Sequence, residues 1–233
     1  MTDDKTAVRD AATVIVLRDR DSDPRVLMGQ RGRKAAFFPS KFVFPGGALD
    51  SEDADVPLAH PLPAICAERL REDAEQDLSA VLPVTAIREL WEETGLLLGT
   101  PGAWPGVPGP DWERYARTGH RPTAEHMQFF FRAITPPGRP RRFDARFFLV
   151  DAADIRGDPD DFSGAADELS HLQWVPLAEA RALDLPFITE VVLAEVAARA
   201  RDRSPPASVP FFRNDDEESL FRRLHGRAPP PDL

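Results

Sequence analysis

Runs of apolar, β-branched and aromatic residues recur along the chain and predict a set of strands. The segments ATVIVL and RVLMG flank an acidic turn, a pattern typical of two buried strands joined by a hairpin. KFVF predicts a third short strand that stops at Pro45-Gly46-Gly47, where the backbone must bend or approach another group closely. The predicted strands are 12–17, 25–29, 41–44, 127–134, 143–150 and 172–175.

Helical periodicity is clearest over residues 84–94, and Gly95 is placed to end that helix in a left-handed conformation. Further helices are predicted around 64–79 and at 187–202, the latter with a mostly apolar face. The stretch 99–112 contains so much proline and glycine that it predicts a connection without regular structure. This order of strands and helices predicts a mixed α/β layer arrangement.

The predicted domain covers residues 1–203, and the Pro-rich, charged residues 204–233 are expected to form a tail that packs poorly or lies along the surface. A length of 233 residues suits one domain with an insertion. Apolar residues make up 42% of the chain, but no apolar run approaches the roughly 20 residues that a bilayer crossing requires. We therefore expect no membrane span.

The first ten residues, MTDDKTAVRD, are polar and lack an apolar stretch, which predicts no secretory signal and a cytoplasmic location. Cys66 is the only cysteine, so an internal disulfide and an all-thiolate zinc site are both excluded. The formal net charge of −10 disfavours a nucleic-acid partner, because it repels a phosphate backbone.

The most informative segment is RELWEETGL, on the predicted helix at 84–94. Positions three and four apart share one helical face, so Glu89, Glu92 and Glu93 lie together while apolar positions occupy the opposite side. Like charges at this spacing destabilise a helix, and Arg88 compensates only part of the charge. A hard cation with oxygen ligands, Mg²⁺ or Mn²⁺, suits such carboxylates. The apolar side consists of Val84, Ile87, Leu90, Trp91 and Thr94.

In isolation an E-x-x-E-E helix is more often a solvated charged face than a metal site. Here, however, the strings FPGG and RELWEETGL together resemble the two ends of the Nudix box, G-x5-E-x7-R-E-U-x-E-E-x-G-U, where U is a bulky aliphatic residue. This resemblance implies a Nudix α/β/α sandwich with a mixed β-sheet. It also implies a metal-dependent hydrolase that cleaves a diphosphate linkage in a nucleoside diphosphate joined to another moiety.

The box is interrupted in this chain. In an uninterrupted box the arginine would stand at position 61, whereas here it is Arg88, so an insertion of 27 residues, at about 54–82, splits the motif. The first acidic position of the box falls on Asp53, and Glu52 and Glu68 are alternative partners for Arg88. With the later string PRRFDARFF, the split box resembles the Nudix nineteen-type proteins, some of which cleave coenzyme A.

The resemblance implies roles for individual residues. Glu92 and Glu93 would be metal ligands, Glu89 a ligand or the base that orients the attacking water, and the Gly46 carbonyl a further ligand. Arg88 would orient the carboxylates. The implied cofactor is Mg²⁺ or Mn²⁺.

A later loop supplies a further acidic candidate. Glu168, in the string DELSHLQW, resembles the family's additional acidic residue, which would bind a second metal ion or act as the base. Asp167 is its close competitor, and a solvated loop acid is the alternative interpretation of either residue.

Two basic strips, at 25–41 and 132–146, suit capture of a small polyanion, with Arg31, Arg33 and Arg142 as candidate substrate-binding residues. The alternative is that these side chains solubilise strand edges. Arg31 has the spacing of a motif found in coenzyme A-cleaving relatives, but other positions of that motif do not match. Two alternative functions therefore stay open: a pyrophosphatase acting on ADP-ribose or a dinucleotide, and a non-catalytic module that senses a nucleotide. The resemblance also implies that two chains can form a dimer.

Overall fold

The first long strand, β1 (Val8–Arg18), lies at the centre of the fold in this computed structural model, which describes residues 7–214 and 219–226. Its side chains alternate between two separate cores, with Val14 and Val16 in one and Ile15 and Leu17 in the other. Because both faces of the strand are covered, its sequence is a continuous apolar run instead of an alternating one.

In the described residues, nine strands form one mixed sheet around β1. The order is β11-β10-β7-β8-β1-β2-β3, with β4 paired to β1 and β9 paired to β2. β1 runs parallel to β8 and antiparallel to β2 and β4. The strands are β2 (Arg25–Arg31), β3 (Phe42–Val43), β4 (Gly46–Ala48), β7 (Gln128–Ile134), β8 (Arg142–Asp151), β9 (Leu169–Pro176), β10 (Val209–Asn214) and β11 (Ser219–Leu224).

Helices cover both faces of this sheet. Helices α1 (Ala64–Arg71) and α2 (Leu82–Thr94) pack on one face, where Cys66 and Ile87 join the core. Helix α4 (Phe187–Arg199) packs on the other, through residues such as Val192. The predicted α/β/α sandwich with a mixed sheet is therefore confirmed. No helix in the described part of the chain is both long enough and apolar enough to span a bilayer.

The insertion within the box folds onto the sheet instead of projecting from it. The backbone N–H of Phe129 on β7 donates to the Cys66 sulfur at 3.4 Å, and burial raises the pKa of this thiol. Two backbone hydrogen bonds, Ala59 N–H to Pro122 O and Ala124 N–H to His60 O, also fix the insertion. Helix α1 ends at Arg71, so the helix predicted over 64–79 was too long.

The Pro- and Gly-rich stretch at 99–112 is more regular than predicted. It contains strand β5 (Gly99–Pro101), which pairs with β6 (His120–Pro122), and a short 3-10 helix that leads into α3 (Glu113–Ala116). Its tryptophans, Trp104 and Trp112, pack against Tyr115 at ring-centroid distances of 6.2 and 5.2 Å. These aromatic contacts supply the ordering that local propensity does not.

In the described part of residues 204–233 the prediction of a tail that packs poorly or lies along the surface was wrong, while residues 215–218 and 227–233 of that tail lie outside the described residues. β10 pairs in parallel with β7, joining Phe211 to Arg132, and β11 pairs with β10 to form one edge of the main sheet. Phe211 and Leu224 are almost fully buried. The sheet therefore extends beyond the predicted boundary, because partners distant in sequence order a segment that has little propensity of its own.

Candidate active site

Helix α2 is buried on nearly every side, including its acidic face. Glu89 and Glu93 are only 9% and 2% exposed, while Glu92 is partly exposed. The helix ends as predicted, since Gly95 has φ = 75° and its N–H donates to the carbonyl of Trp91. The carboxylates therefore lie on a rigid element inside the protein instead of on a solvated surface.

Gly46 and Gly47 lie directly against this acidic face. The N–H of Gly46 donates to Oε2 of Glu93 at 2.8 Å. A Cβ atom on Gly47 would stand 2.3 Å from Oε1 of Glu89, and one on Gly46 would stand 2.5 Å from the carbonyl oxygen of Ala12. The sequence predicted a loop here, whereas both residues belong to β4. Close approach to Glu89 of the helix requires glycine at position 47, and close approach to β1 requires it at position 46.

Arg88 links the strands to the acidic side chains. Its Nη1 donates to Glu89 at 2.9 Å and to Glu92 at 3.0 Å, and its Nη2 donates to the Ala48 carbonyl at 3.0 Å. On its other side it contacts Asp53 through Nε at 2.8 Å and Nη2 at 3.1 Å. One guanidinium thus orients two of the three glutamates.

Asp53 is the partner of Arg88 among the three acids that the sequence offered. Its Oδ2 also accepts hydrogen bonds from the Thr85 hydroxyl at 2.8 Å and from the Asp50 N–H at 3.1 Å. Glu68 is exposed on α1, and Glu52 turns toward Gly109. The acidic position six residues after Gly47 therefore keeps its place in the box despite the insertion.

Burial makes these carboxylates unusually weak acids. It raises the pKa of Glu89 to about 7, raises that of Glu92, and, together with the neighbouring Glu89 charge, raises that of Glu93 well above its usual value. Burial would lower the pKa of Arg88, but the hydrogen bonds that Arg88 donates to Asp53 and the adjacent carboxylate charges outweigh it and raise the pKa. The site has a net demand for positive charge that Arg88 alone does not meet.

This demand fits a divalent cation. Oε1 of Glu93 is buried and has no hydrogen-bond partner, and an unpaired buried carboxylate oxygen is costly unless a cation contacts it. In the described residues no three His, Cys, Asp or Glu side chains are arranged around a common point. Instead, Glu89 and Glu92 contact Arg88, and Glu93 contacts Gly46. The donor set is made of oxygen, which suits Mg²⁺ or Mn²⁺.

The loop before β9 brings Glu168 to the same site. Its Oε1 accepts from Nη2 of Arg31 at 3.0 Å, and its charge contributes to the raised pKa values of Glu89 and Glu93. The Glu168 side chain is 59% exposed. Asp167 is exposed and does not line the cavity described below.

Three contacts fix this loop to the end of α2. The N–H of Ala166 donates to the Glu92 carbonyl at 2.8 Å, and a Cβ on Gly95 would stand 2.9 Å from Gly164. Arg114 donates to the Gly164 carbonyl at 2.6 Å while its guanidinium lies 5.4 Å from the centroid of the Trp91 ring.

A cavity of about 530 Å³ opens beside the acidic face. One end carries Gly46, Gly47, Glu89, Glu92 and Glu168. The remaining wall is largely apolar and comes from β7, β8, β10 and the start of α4. It includes Ile134, Phe143, Phe147, Phe187, Ile188 and Phe212.

The candidate substrate-binding arginines do not all reach the cavity. Arg31 lines it, Arg33 is exposed outside it, and Arg142 donates to the Thr135 carbonyl at 3.1 Å between two strands. Within the second basic strip, Arg132 and Arg146 are each 3% exposed and form ion pairs with Asp144. Those two arginines are structural, contrary to a role for the whole strip in capturing a polyanion.

Some cavity residues were missed by sequence reasoning. Arg9 and Thr13 of β1 line the cavity, and strand alternation with Ala11 would have placed them on one face. Phe212 and Asn214 of β10 also line the cavity. The sequence pattern did not indicate this, because no strand was predicted after residue 203.

The chain is similar to several known proteins. No family model matches the chain. A Nudix hydrolase of known structure from Alicyclobacillus acidocaldarius is 28% identical, with a TM-score of 0.64, covering 84% of this chain and 94% of that one. The Caenorhabditis elegans protein named "Putative nudix hydrolase 7" is 26% identical over 178 residues, which cover 72% of this chain and 51% of the relative.

A second curated relative is the acyl-coenzyme A diphosphatase NUDT19 of Gallus gallus, 29% identical over 181 residues, covering 54% of this chain and 48% of the relative. The chain thus spans about half the length of the curated relatives it matches. The α/β/α sandwich with a glycine pair against a buried Arg-Glu-x-x-Glu-Glu helix defines the class: the chain belongs to the Nudix hydrolase superfamily. Within that superfamily it resembles NUDT19.

Proposed function

We propose that this protein is a Mg²⁺- or Mn²⁺-dependent hydrolase that cleaves the diphosphate linkage of a nucleoside diphosphate joined to another moiety. The observation that carries the proposal is the glutamate face of α2: Glu89 and Glu92 line one end of a ligand-sized cavity, and Glu93 of the same face has a buried, unpaired oxygen. Coenzyme A and its acyl esters are the first candidate substrates, because one relative is named an acyl-coenzyme A diphosphatase.

In this proposal Glu89, Glu92, Glu93 and the Gly46 carbonyl would hold the metal. Bound cations neutralise charge on the phosphate oxygens and lower the pKa of the attacking water. Arg88, itself held by Asp53, orients the carboxylates of Glu89 and Glu92. This arrangement needs no nucleophilic side chain.

The remaining steps use groups of the chain and water. Water adds to one phosphorus, the anhydride P–O bond breaks, and the departing oxygen stays on the other phosphate, which gives two phosphate monoesters. The proton of the water passes to a carboxylate, with Glu168 and Glu89 as the two candidates. Glu168 is the more exposed, and Arg31 orients it.

The test is turnover of a panel comprising coenzyme A, acyl-coenzyme A, ADP-ribose and NADH, with and without Mg²⁺ or Mn²⁺. We expect metal-dependent cleavage by the native protein and its loss in Glu92→Gln and Glu93→Gln. Glu190→Gln is the matched control, because Glu190 is exposed on α4 outside the cavity. Full activity of the Glu92 and Glu93 variants, or no turnover of any compound, would contradict the proposal.

Calorimetry separates an enzyme from a protein that only senses the nucleotide. Tight binding with unchanged ligand recovered by mass spectrometry after metal addition would favour the sensor. To separate the two candidate bases, Glu168→Gln and Glu89→Gln are compared by kcat, since loss of a general base costs about 10²- to 10⁴-fold.

The proposal also includes partners and compartment. We propose a small-molecule diphosphate as the partner and no nucleic acid, because the net charge is −10. A homodimer and a cytoplasmic location stay predictions, to be tested by light scattering and by cell fractionation.

A further inference from the structure

The cavity has a second charged region, at the end opposite the glutamates. Arg9, Arg139 and Arg141 line it there, and all three side chains belong to exposed residues. None of them forms an ion pair among the described residues. The other two arginines of the cavity are compensated, Arg31 by Glu168 and Arg88 by its carboxylates.

Strand register shows how these arginines sit relative to the catalytic end. On β1, alternation places Arg9, Ala11 and Thr13 on the face that lines the cavity. Thr13 pairs with Gly46, whereas Arg9 pairs with Phe143. Four residues of strand separate the two positions by about 13 Å.

Arg141 belongs to the same end as Arg9. It stands two residues before Phe143, directly before the first residue of β8, and both residues line the cavity. Because β1 and β8 are adjacent parallel strands, Arg9 and Arg141 lie near each other. Arg139 joins them from the connection between β7 and β8.

The floor between the two charged ends is apolar. Ala11 and its strand partner Ala145 occupy it, and Phe143, opposite Arg9, extends it to the arginines. The Phe37 and Phe143 rings pack edge-to-face at a centroid distance of 5.1 Å. A ligand that matches this order carries a diphosphate at one end, a flat or apolar part in the middle and a further anionic group near the arginines.

We propose that Arg9, Arg139 and Arg141 form a second anion subsite that recognises a phosphate monoester on the nucleoside half of the substrate. This inference rests on the proposed function, and it narrows the substrate class to diphosphates with an additional ribose phosphate. Coenzyme A has such a phosphate at the ribose 3′ position and NADPH has one at the 2′ position, whereas ADP-ribose and NADH have none. Arginine suits this role because its planar fork donates two hydrogen bonds to a phosphate.

The decisive comparison uses pairs of compounds that differ only in that phosphate: coenzyme A against 3′-dephospho-coenzyme A, and NADPH against NADH. We expect kcat/KM to be higher for at least one phosphorylated member by about tenfold, the scale of charge-assisted hydrogen bonds discounted for exposure. The pair that shows the preference identifies the ribose position. Equal kcat/KM within both pairs would overturn the subsite and leave the proposed hydrolase intact.

Variants then assign the preference to these residues. In Arg9→Gln/Arg141→Gln the preference should fall to within about twofold, with an Arg139→Gln variant in the connection as an independent second test. The matched control is Arg181→Gln/Arg201→Gln, which removes two exposed arginines outside the cavity and should retain the preference. A preference that survives in the Arg9/Arg141 variant would overturn the assignment.

A binding measurement keeps this test separate from hydrolysis. Calorimetry compares adenosine 3′,5′-bisphosphate and adenosine 2′,5′-bisphosphate with adenosine 5′-monophosphate, using native protein and the Arg9/Arg141 variant. Tighter binding of a bisphosphate, lost in the variant, supports the subsite even if no compound is cleaved, a result that would count against the hydrolase alone. Equal binding of all three would overturn the subsite.

Discussion

Arg88 and Asp53 form a two-point ion pair in which both side chains are almost completely enclosed, with side-chain exposures of 8% and 0%. The pair crosses the insertion that splits the box, so it restores in space a contact that the sequence separates by 35 positions. It also anchors the guanidinium that contacts Glu89 and Glu92.

Asp53→Ala should destabilise the protein strongly. It leaves the Arg88 charge buried without its main partner, and breaking such a pair costs about 3–5 kcal/mol in the free energy of unfolding. Denaturant unfolding measures this loss. Asp55→Ala is the control, since Asp55 is exposed at the end of the 3-10 helix Ser51–Asp55 that contains Asp53, and its loss should cost less than about 0.5 kcal/mol. Similar values for the two variants would contradict the anchoring role.

Gly47→Ala should reduce activity through Glu89. The added methyl would stand 2.3 Å from the Glu89 carboxylate, so that side chain or the strand must shift. Overpacking of this kind costs about 1–3 kcal/mol, which corresponds to about a 5- to 150-fold loss in kcat/KM if it acts on the transition state. Gly32→Ala is the control, because no atom lies within 4 Å of the added Cβ. An active Gly47→Ala protein would refute the close approach.

Without metal, stability should fall as pH rises through the range set by Glu89. Burial raises its pKa from 4.5 to about 7, so the folded state keeps a proton that the unfolded chain has released. The unfolded state therefore binds fewer protons in that window, and the free energy of unfolding decreases with pH. Melting temperatures of the metal-free protein at pH 5.5 and pH 8 measure this decrease.

The same titration predicts how metal acts. Mg²⁺ competes with protons for the carboxylates, so the rise in melting temperature on its addition should be larger at pH 8 than at pH 5.5. Glu93→Gln should reduce the rise at both values. An equal rise at both pH values in the native protein would show that Mg²⁺ binds elsewhere.

Arg114→Ala should weaken catalysis by releasing the Glu168 loop from α2. Arg114 on α3 donates to the Gly164 carbonyl, whereas Arg117, directly after the end of that helix, forms an exposed ion pair with Glu113. We expect kcat to fall by about tenfold in Arg114→Ala, less than the roughly 10²- to 10⁴-fold cost of losing an acid or base, because Glu168 is displaced and not removed. In Arg117→Ala kcat should stay near native.

A double-mutant cycle distinguishes positioning from general destabilisation. If Arg114 acts through Glu168, the Arg114→Ala/Glu168→Gln protein should be hardly slower than Glu168→Gln alone. Multiplicative effects of the two changes would show that they act independently.

Phe211→Ala should test whether the last two strands contribute to stability. Phe211 is 1% exposed and lies under the guanidinium of Arg132 at 4.3 Å, so its truncation should cost about 3–5 kcal/mol in the free energy of unfolding. Phe221 is 51% exposed on β11, and Phe221→Ala should cost less than about 1 kcal/mol. Comparable losses would contradict the packing of β10 against β7.

The elements that could be predicted from sequence are those with strong local periodicity. The helical periodicity of apolar residues in α2, with its end at Gly95, was sufficient to place Glu89, Glu92 and Glu93 on one face. The partner of Arg88 could only be narrowed to three acids, because the insertion removes the local spacing that normally selects it. The three-dimensional structure identifies Asp53 as the partner, since Nε of Arg88 lies 2.8 Å from its Oδ1.

Two of the missed features depend on pairing between distant segments. β10 is ordered by β7, about 80 residues earlier, as the hydrogen bond from Asn214 to the Ile134 carbonyl illustrates. The burial of Arg132 likewise depends on Asp144 of the neighbouring strand, which sequence composition counts only as one acid among several bases.

The position of β10 also affects how shortened versions of this protein should be designed. A version that ends after α4 would lack Phe212 and Asn214, and the cavity would lose the wall that these residues form. Inactivity of such a fragment would be explained by the incomplete substrate cavity, and it would not test whether the glutamates of α2 are catalytic.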